Sequence, residues 1–261
     1  MFPPPSRLTN RLIKGIRFSR FAANYTSEQW QKDLVNKVTA FIQTHINWIG
    51  VNFIDPTTTF ETSSPANVKG AVRVLDYACG PGTVTRALGS RATEYVGMDL
   101  SENMVQAYNL RFNPAAATSS TGEEREDETL NAHAVVGNLI AEQEPPASLS
   151  TEEYRNFDLV VVGLGFHHFA NIPLATQRLV DRLRPGGIFM IIDFVTHPAE
   201  PDVAKHPSAH TVAHNGFSEK EMKRIFEGAG LVDFGHVAMG EEVTLRGTMK
   251  REPFIARGRK E

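Results

Sequence analysis

Short apolar runs alternate with helical segments along most of this chain, and this alternation constrains its fold more than any other feature. The apolar runs are predicted as strands at 72–77, 95–98, 134–136, 158–163, 188–194, 234–239 and 253–256. The helical segments between and after them lie at 83–90, 101–111, 172–183 and 218–229. Strands separated by helices form a parallel sheet with helices on both faces, and continuous apolar strands are buried on both sides. The sequence therefore predicts a seven-stranded, mostly parallel α/β sheet.

Two further segments precede the predicted sheet. Residues 1–27 are basic and amphipathic, with no acidic residue before Glu28, and such a start resembles a mitochondrial transit peptide. The alternative is a solvated helix that packs on the domain. From 28 to 49, apolar residues recur at helical spacing and predict a cap helix. We therefore divide the chain into an N-terminal leader and cap region, 1–70, and a sheet domain, 71–261.

Composition limits the partners of the chain. The formal net charge is -3, which does not favour nucleic acid, and no apolar stretch is long enough to span a bilayer. Residues 113–131 are rich in Ser, Ala and Glu and predict a disordered acidic loop. Because Cys79 is the only cysteine, an intrachain disulfide is impossible, and we expect a cytoplasmic protein, with mitochondrial import as the alternative location. We expect the chain to be a monomer or a homodimer.

A glycine turn after the first strand is the strongest local motif. The run Val74-Leu75-Asp76-Tyr77-Ala78-Cys79-Gly80-Pro81-Gly82 ends an apolar strand in an acid and then opens a helix. Glycine lets the chain bend sharply and lets a ligand approach the backbone. The next strand ends in Asp99, where a carboxylate can accept both hydroxyls of a ribose, although capping of the following helix would also explain an acid there.

The same motif argues against a dinucleotide. A third glycine, which lets a helix pack beneath a pyrophosphate, is missing from the run 80–86. The charge of Asp76 also repels a pyrophosphate and favours a cationic ligand. These two observations indicate a cofactor that joins a nucleoside to an amino acid through a sulfonium.

With these motifs, the chain resembles the class I S-adenosylmethionine-dependent methyltransferases, and within them the UbiE-like, type 11 group. The resemblance lies in five segments in the family's order, spanning about residues 72–194: VLDYACGPGTVTRAL, YVGMDLSENMV, AVVGNL, FDLVVVGLGFHHFANI and LRPGGIFMIIDF. It implies a Rossmann-like fold with an N-terminal helical extension, and S-adenosylmethionine as cofactor, with S-adenosylhomocysteine as product.

The resemblance also implies a role for individual residues. Asp76 would lie beside the methionine ammonium, and Asp99 would bind the ribose hydroxyls. Leu100 and Met104 would flank the adenine, and the side-chain carbonyl of Asn138 would accept from its amino group. The remaining cofactor-binding residues are then Tyr25, Ala78, Gly80, Gly82, Leu139 and Gly163.

Histidines supply the candidate catalytic groups. His167 and His168 follow the fourth strand, where the acceptor meets the methyl group in this fold, and a histidine there can take a proton because its pKa lies near neutrality. Alternatively, either one holds the loop through a backbone hydrogen bond. His206, His210 and His214 have a spacing that suits zinc on an uninterrupted helix, but Pro207 argues against that helix. We predict no metal and place His214 in a lid over the substrate.

Three functions remain open from the sequence. The first is methylation of a small acceptor, aromatic or apolar because Phe166, Phe169, Phe194 and Phe217 are candidates for an apolar lid over the substrate. The second is a protein methyltransferase or a regulatory subunit that docks through acidic residues 123–128. The third is a dehydrogenase, which the missing third glycine disfavours.

Overall fold

A computed structural model of the protein describes residues 28–56, 70–112, 130–198 and 212–261. The strands are β1 (Arg73–Tyr77), β2 (Glu94–Asp99), β3 (Ala132–Val136), β4 (Phe157–Gly163), β5 (Leu183–Phe194), β6 (Leu231–Ala238), β7 (Val243–Leu245), β8 (Met249–Arg251) and β9 (Pro253–Lys260). The α-helices are α1 (Gln29–Thr44), α2 (Ile46–Ile49), α3 (Thr83–Leu88), α4 (Glu102–Phe112), α5 (Ile172–Val180) and α6 (Glu219–Gly228). The basic leader with Tyr25, most of the acidic loop, His206 and His210 lie outside the described residues.

Seven of the strands form one sheet in the order β3-β2-β1-β4-β5-β9-β6. The strands from β3 to β5 pair in parallel, and β9 runs antiparallel between β5 and β6. The predicted seven-stranded, mostly parallel sheet is confirmed. The strand order reverses between β1 and β4, and in an open α/β sheet the crevice at such a reversal, beyond the carboxyl ends of the strands, receives ligands.

Helices cover both faces of this sheet, as predicted. Successive side chains of a strand point to opposite faces, so Val160 and Val162 of β4 pack in one core while Leu159 and Val161 pack in the other. The first core receives residues of α5 and α6, and the second receives residues of α1, α3 and α4. The cap helix α1 is therefore packed on the same face as α3, next to the glycine turn.

Several element boundaries differ from the prediction, and one hairpin is additional. Strand β5 begins at Leu183, because Gly187 lets its backbone pass close to that of Phe157; a Cβ at Gly187 would lie 2.8 Å from the Phe157 carbonyl oxygen. The predicted helix over 28–49 is divided at His45, whose Nδ1 donates to the Phe41 carbonyl at 2.9 Å. The hairpin of β7 and β8 was not predicted, since its strands have three residues each.

Across the residues that the structure describes, no helix has the length and apolar character that a bilayer span requires.

Candidate functional site

The glycine turn connects β1 to α3 through three residues in the left-handed region. Ala78 has φ 56°, Gly80 has φ 51° and Gly82 has φ 88°. A non-glycine residue rarely adopts this conformation, so Ala78 is strained and held by its surroundings. The amide of Cys79 donates to the Met98 carbonyl at 3.2 Å, which fastens the turn to the end of β2. The turn therefore lies between the tips of β1 and β2.

Asp99 is bonded directly to this turn. One carboxylate oxygen, Oδ2, accepts from the Gly80 amide at 2.9 Å, and Oδ1 accepts from the Ser101 amide at 2.9 Å. A carboxylate offers about four lone-pair positions, so acceptor capacity remains on both oxygens. Burial raises the pKa of Asp99, and hydrogen bonds from these amides oppose that rise. Ser101, whose hydroxyl lies 3.4 Å from the Met104 amide, caps α4 and leaves Asp99 available to a ligand.

Asp76 is almost completely buried at the other strand tip, with 1% of its surface exposed. Its Oδ2 accepts from the Thr85 hydroxyl at 2.9 Å and from the Thr85 amide at 3.4 Å. The Thr85 hydroxyl in turn lies 2.8 Å from the Tyr108 hydroxyl of α4. Burial raises the pKa of Asp76 to about 7, with Thr85 opposing this rise and Asp99 adding to it. A cation beside Asp76 would favour its ionised form.

One cleft contains several of the predicted cofactor residues. Asp76, Ala78, Gly80 and Gly163 line it together, and the tip of β4 contributes Leu164 beside Gly163. Asp99 adjoins this cleft through its bond to Gly80. The placement supports the expectation that two carboxylates on neighbouring strands share one site.

Helix α1 forms the opposite wall of this cleft. It contributes lining residues that we did not predict, namely Trp30, Gln31, Leu34, Val35 and Val38. Their signal in the sequence was present, because they fall on one face of a helix at spacings of one, three and four residues. What the sequence did not indicate is which part of the domain that face covers.

Gly82 has a packing role that the motif alone did not reveal. A Cβ at this position would lie 2.3 Å from Phe112 Cε2 and 3.1 Å from Tyr108 Cδ2. The aromatic face of α4 therefore occupies the space that a side chain at residue 82 would need. A Cβ at Gly80, in contrast, would meet no atom within 4 Å, so the space beside Gly80 is open. Of the two glycines, Gly80 is thus the one beside which a ligand has room.

Replacing Gly82 with alanine is expected to destabilise the fold by about 2–4 kcal/mol, because overpacking adds to the strain of a positive φ. Chemical denaturation measures this loss. Gly240→Ala is the matched control, since Gly240 has φ 78° but nothing within 4 Å of its Cβ position; strain alone should lower its stability by about 1 kcal/mol. Equal losses in the two variants would contradict the packing role.

The tips of β2 and β3 present exposed apolar side chains next to Asp99. Leu100 is 42% exposed, as expected of a residue that flanks an adenine, and Val136, which we did not predict, is 49% exposed. Met104, which was also expected to flank the adenine, is 4% exposed, so little of its side chain is accessible. Val136 pairs with Asp99 in the sheet register, so both positions lie at the carboxyl edge.

The loop after β3 is held in place by buried groups. The Leu139 amide donates to the Tyr77 hydroxyl at 3.2 Å, and the Asn138 carbonyl oxygen accepts from the Ile140 amide at 3.0 Å. Arg178 of α5 donates to four main-chain carbonyls, at 3.3 Å (Leu139), 2.6 Å (Ala141), 3.4 Å (Glu142) and 2.6 Å (Gln143). The side-chain oxygen of Asn138, which was predicted to bind adenine, therefore already accepts one hydrogen bond. Its second lone pair is available to a ligand.

The histidine pair follows β4 on a 3-10 turn, Phe166–His168. His167 Nδ1 lies 2.9 Å from Asp193 Oδ1, and its main-chain amide donates to Asp193 Oδ2 at 3.0 Å. The rings of His167 and His168 are 4.1 Å apart. Asp193 was not predicted as a site residue, although it lies within the segment LRPGGIFMIIDF, because only the folded sheet brings β5 against this turn.

His214 lies elsewhere. Its Nε2 is 3.0 Å from the Phe169 carbonyl oxygen, to which it donates, and its ring packs 5.4 Å from Phe217. It lines a groove between α5 and α6, together with Ile172, Glu221 and Arg224, and not the cleft of Asp76. The structure therefore places the His214 ring outside the cleft of Asp76, although the His214 amide donates to the His167 carbonyl oxygen at 3.1 Å.

The phenylalanines expected in an open lid are core residues instead. Phe166, Phe169, Phe194 and Phe217 are 0%, 7%, 8% and 1% exposed. Phe166 packs on both Phe169 and Phe217, with ring centroids 5.4 Å and 5.3 Å apart. Their burial is explained by aromatic packing beneath the strand tips, so they form a support and leave the lining of an acceptor site to other residues.

Within the described ranges, no three His, Cys, Asp or Glu side chains are grouped as metal ligands. Cys79 is buried in the glycine turn, and burial raises the pKa of its thiol well above the ordinary value, so this thiol is unsuited to act as a nucleophile.

Comparison with known proteins identifies the family. The methyltransferase domain family matches residues 23–233 of this chain. The chain belongs to this family. An uncharacterised methyltransferase of Schizosaccharomyces pombe is 30% identical over 173 residues, which are 62% of this chain and 54% of the relative. The ubiquinone/menaquinone biosynthesis C-methyltransferase UbiE of Hydrogenovibrio crunogenus is 27% identical over 193 residues, 71% of this chain and 60% of that protein.

The fold is likewise shared with solved methyltransferases. Magnesium protoporphyrin IX methyltransferase of Synechocystis PCC 6803, solved with S-adenosylhomocysteine, has a TM-score of 0.55 at 15% identity and covers 98% of this chain and 100% of that one. The expected Rossmann-like methyltransferase fold and the resemblance to UbiE-like proteins are confirmed. The matches span about half to three fifths of the curated relatives' own lengths.

Proposed function

We propose that this chain is an S-adenosylmethionine-dependent methyltransferase whose cofactor lies in the cleft between the tips of β1, β2 and β4. The observation that carries the proposal is the pair of acids at neighbouring strand tips. Asp76 lines the cleft, and Asp99 accepts a hydrogen bond from the Gly80 amide of the same turn. The negative charge of Asp99 also contributes to the raised pKa of Asp76. The open space beside Gly80 fits a ligand that approaches the backbone.

Each end of the cofactor then has a partner of matching chemistry. The free lone pairs of Asp99 accept from the ribose hydroxyls, while Asp76 offers a negative charge to the ammonium of the methionine part. Leu100 and Val136 are the exposed apolar surfaces available to the adenine ring. Asn138 and Leu139 lie on the loop after β3, which Arg178 and Tyr77 hold through hydrogen bonds. We assign the hydrogen bonds to the edge of the adenine to this loop.

When bound, the cofactor supplies a methyl group on a sulfonium that is already activated for displacement. The task of the protein is then to align the acceptor with the methyl carbon and to exclude water. Positioning of this kind supplies about 7–11 kcal/mol in favourable cases. Helix α1, which covers the cleft through Gln31 and Leu34, is the part of the described chain that shields it from solvent.

The acceptor that we propose is a small aromatic or apolar molecule. Two relatives from Leptospira interrogans are named demethylmenaquinone methyltransferases, and the UbiE relative acts in ubiquinone and menaquinone biosynthesis, so acceptors of this kind occur among similar proteins. The four phenylalanines that were candidates for an apolar lid are buried in the core. Support for this acceptor class therefore comes from the similar proteins.

Calorimetry with S-adenosylhomocysteine, followed by a screen for transfer of a labelled methyl group, tests the proposed function. We expect one binding site and label incorporated into compounds of low mass from a cell extract. Failure of S-adenosylhomocysteine to bind would contradict the cofactor assignment. Label found in protein bands alone would show that the methyl acceptor is a protein.

Thr85 is expected to tune cofactor binding, because its hydroxyl donates to Asp76 and thereby favours the ionised acid. Thr85→Val should weaken S-adenosylhomocysteine binding at pH 7 by about 5-fold, the equivalent of about 1 kcal/mol for one hydrogen bond. Thr85→Ser keeps the hydroxyl and is the control. Calorimetry at pH 7 and pH 8.5 should show a smaller difference at the higher pH; a difference independent of pH would contradict the mechanism.

The boundary between 1–70 and 71–261, the import of the chain into mitochondria, and the monomer or homodimer state stay predictions. Microscopy of the full chain with a C-terminal fluorescent tag tests import, since deletion of 1–27 should abolish any mitochondrial signal. Light scattering of the purified chain tests the oligomeric state.

A further inference from the structure

Asp193 is a buried acid that contacts His167 in the turn after β4. It lies on β5 with 0% of its surface exposed. An ionised carboxylate in such a place is unfavourable unless it is paired and hydrogen-bonded. Asp193 meets this requirement through the Phe194 amide at 2.8 Å, the His167 amide at 3.0 Å and the His167 ring at 2.9 Å. Burial would raise its pKa, but the charge and hydrogen bonds of His167 outweigh burial and lower it.

These contacts fix both the position and the tautomer of His167. The carboxylate accepts, so Nδ1 of the imidazole carries a hydrogen, and in the neutral form of the ring Nε2 then holds the lone pair. The main-chain amide of His167 bonds to the same carboxylate, which prevents the residue from swinging away. On the other side, the amides of Ala213 and His214 donate to the His167 carbonyl oxygen at 2.9 Å and 3.1 Å. The imidazole is thus held on a rigid frame and still has 14% of its side chain exposed.

The frame lies next to the proposed cofactor cleft. Gly163 and Leu164 line that cleft, and a Cβ at Gly165 would be only 3.1 Å from the Ala78 Cβ of the glycine turn. The 3-10 turn that begins at Phe166 continues from this contact. His167 therefore lies two residues after the segment 163–165, which borders both the cleft and the glycine turn.

We propose that His167 is the general base of the reaction, with Asp193 as its positioning residue, and that the methyl acceptor therefore loses a proton from an O–H, an N–H or an acidic C–H. This inference rests on the proposed methyltransferase function. It excludes acceptors such as thioethers, tertiary amines and pyridines, which carry no proton on the attacking atom.

The step balances in protons and electrons. The acceptor atom forms a bond to the methyl carbon as the bond between that carbon and sulfur breaks, and the pair of electrons of the broken bond stays on sulfur. The proton of the acceptor passes to Nε2 of His167. Asp193 stabilises the imidazolium that results, and water takes the proton afterwards.

Other titratable groups surround His167. The ring of His168 lies 4.1 Å away at a tilt of 42°, the His214 amide donates to the His167 carbonyl, and Asp193 faces the imidazole from β5. His197 lies beyond β5, and its ring Nδ1 bonds to the Pro198 carbonyl at 3.0 Å. Of these groups, Asp193 is the acid that bonds to the imidazole of His167.

The first test reads the imidazole itself and needs neither acceptor nor cofactor. Long-range nitrogen–proton NMR of the full chain, assigned with His167→Gln, should show His167 with hydrogen on Nδ1 and a lone pair on Nε2. In Asp193→Asn, which loses the charge and keeps one of the two acceptor oxygens, this single tautomer should be lost. A hydrogen on Nε2 in the wild type, or an unchanged signal in Asp193→Asn, would overturn the proposal.

The second test reads the acceptor class. Labelled S-adenosylmethionine is offered with phenols, hydroxy acids and primary amines, and separately with thioethers, tertiary amines and pyridines. Product is expected from the first panel alone, and His167→Gln should then lower kcat by roughly 100-fold, at the lower end of general-base effects, without changing the KM for the cofactor. His133→Gln is the control, because His133 pairs with Glu153 at an exposed position on β3, and it should stay within a few-fold of the wild type.

Product from the second panel, or equal losses in the two histidine variants, would overturn the role of His167. If neither panel yields product, the tautomer measurement alone decides. These outcomes differ from failure of the proposed function, which appears as absence of S-adenosylhomocysteine binding and leaves the tautomer of His167 unaffected.

Discussion

Asp99→Ala is expected to weaken binding of S-adenosylhomocysteine by at least about 100-fold. Hydrogen bonds to a charged group contribute about 1.5–3 kcal/mol each, and the account assigns two ribose hydroxyls to this carboxylate. Since 1.4 kcal/mol corresponds to a factor of ten, two such bonds lost together give about 100-fold or more. The variant also removes the acceptor of the Gly80 and Ser101 amides, which loosens the turn beside the ligand.

Calorimetry measures this loss, with thermal unfolding as the check that the fold is kept. Asp99→Asn keeps a carbonyl acceptor without the charge and should fall between the wild type and alanine. Asp233→Ala is a control for loss of an acid, because Asp233 pairs with Arg259 at an exposed position away from the cleft. An Asp99→Ala variant that binds within threefold of the wild type would remove Asp99 from the site.

Binding of S-adenosylhomocysteine is expected to weaken as the pH falls below 7, by up to tenfold for each pH unit. Burial raises the pKa of Asp76 to about 7, so below that pH the free protein carries a protonated acid there. The ammonium of the ligand favours the ionised form, and binding must therefore release a proton. Above pH 7 the acid is already ionised, and this contribution to affinity is complete.

The same group changes stability in the opposite sense. A carboxyl whose pKa is raised on folding holds its proton more tightly in the folded state, so the ligand-free protein loses stability as the pH rises from about 4 to 7.

Calorimetry in two buffers of different ionisation enthalpy counts the protons released when the ligand binds at pH 6. Asp76→Asn should release none from this position, and methylthioadenosine, which lacks the amino-acid part, should show no such release with the wild type. Equal proton release for both ligands would refute the assignment of Asp76.

The strands and the motifs that follow them could be predicted from the sequence because they depend on local patterns. The apolar run over 72–77 and the turn with Gly80 need no distant partner to be recognised. The closing strands could be placed for the same reason, although β6 and β9 each extend beyond the predicted runs.

What could not be predicted depends on contacts between distant segments. Asp193 meets His167 only because β5 pairs with β4, and the chain of Asp76, Thr85 and Tyr108 requires α4 to pack on α3. Sequence spacing alone does not indicate such contacts. The burial of Phe166 and Phe217 was missed for the same reason, since an aromatic residue after a strand is equally compatible with a lid and with the core.

A crystal structure of the chain with S-adenosylhomocysteine tests whether the two acids hold the cofactor. We predict that both ribose hydroxyls lie within hydrogen-bond distance of the Asp99 carboxylate and that the amino group of the ligand lies on the Asp76 side of the bend at Gly80. A ligand seated elsewhere, or one whose ribose touches neither acid, would contradict it.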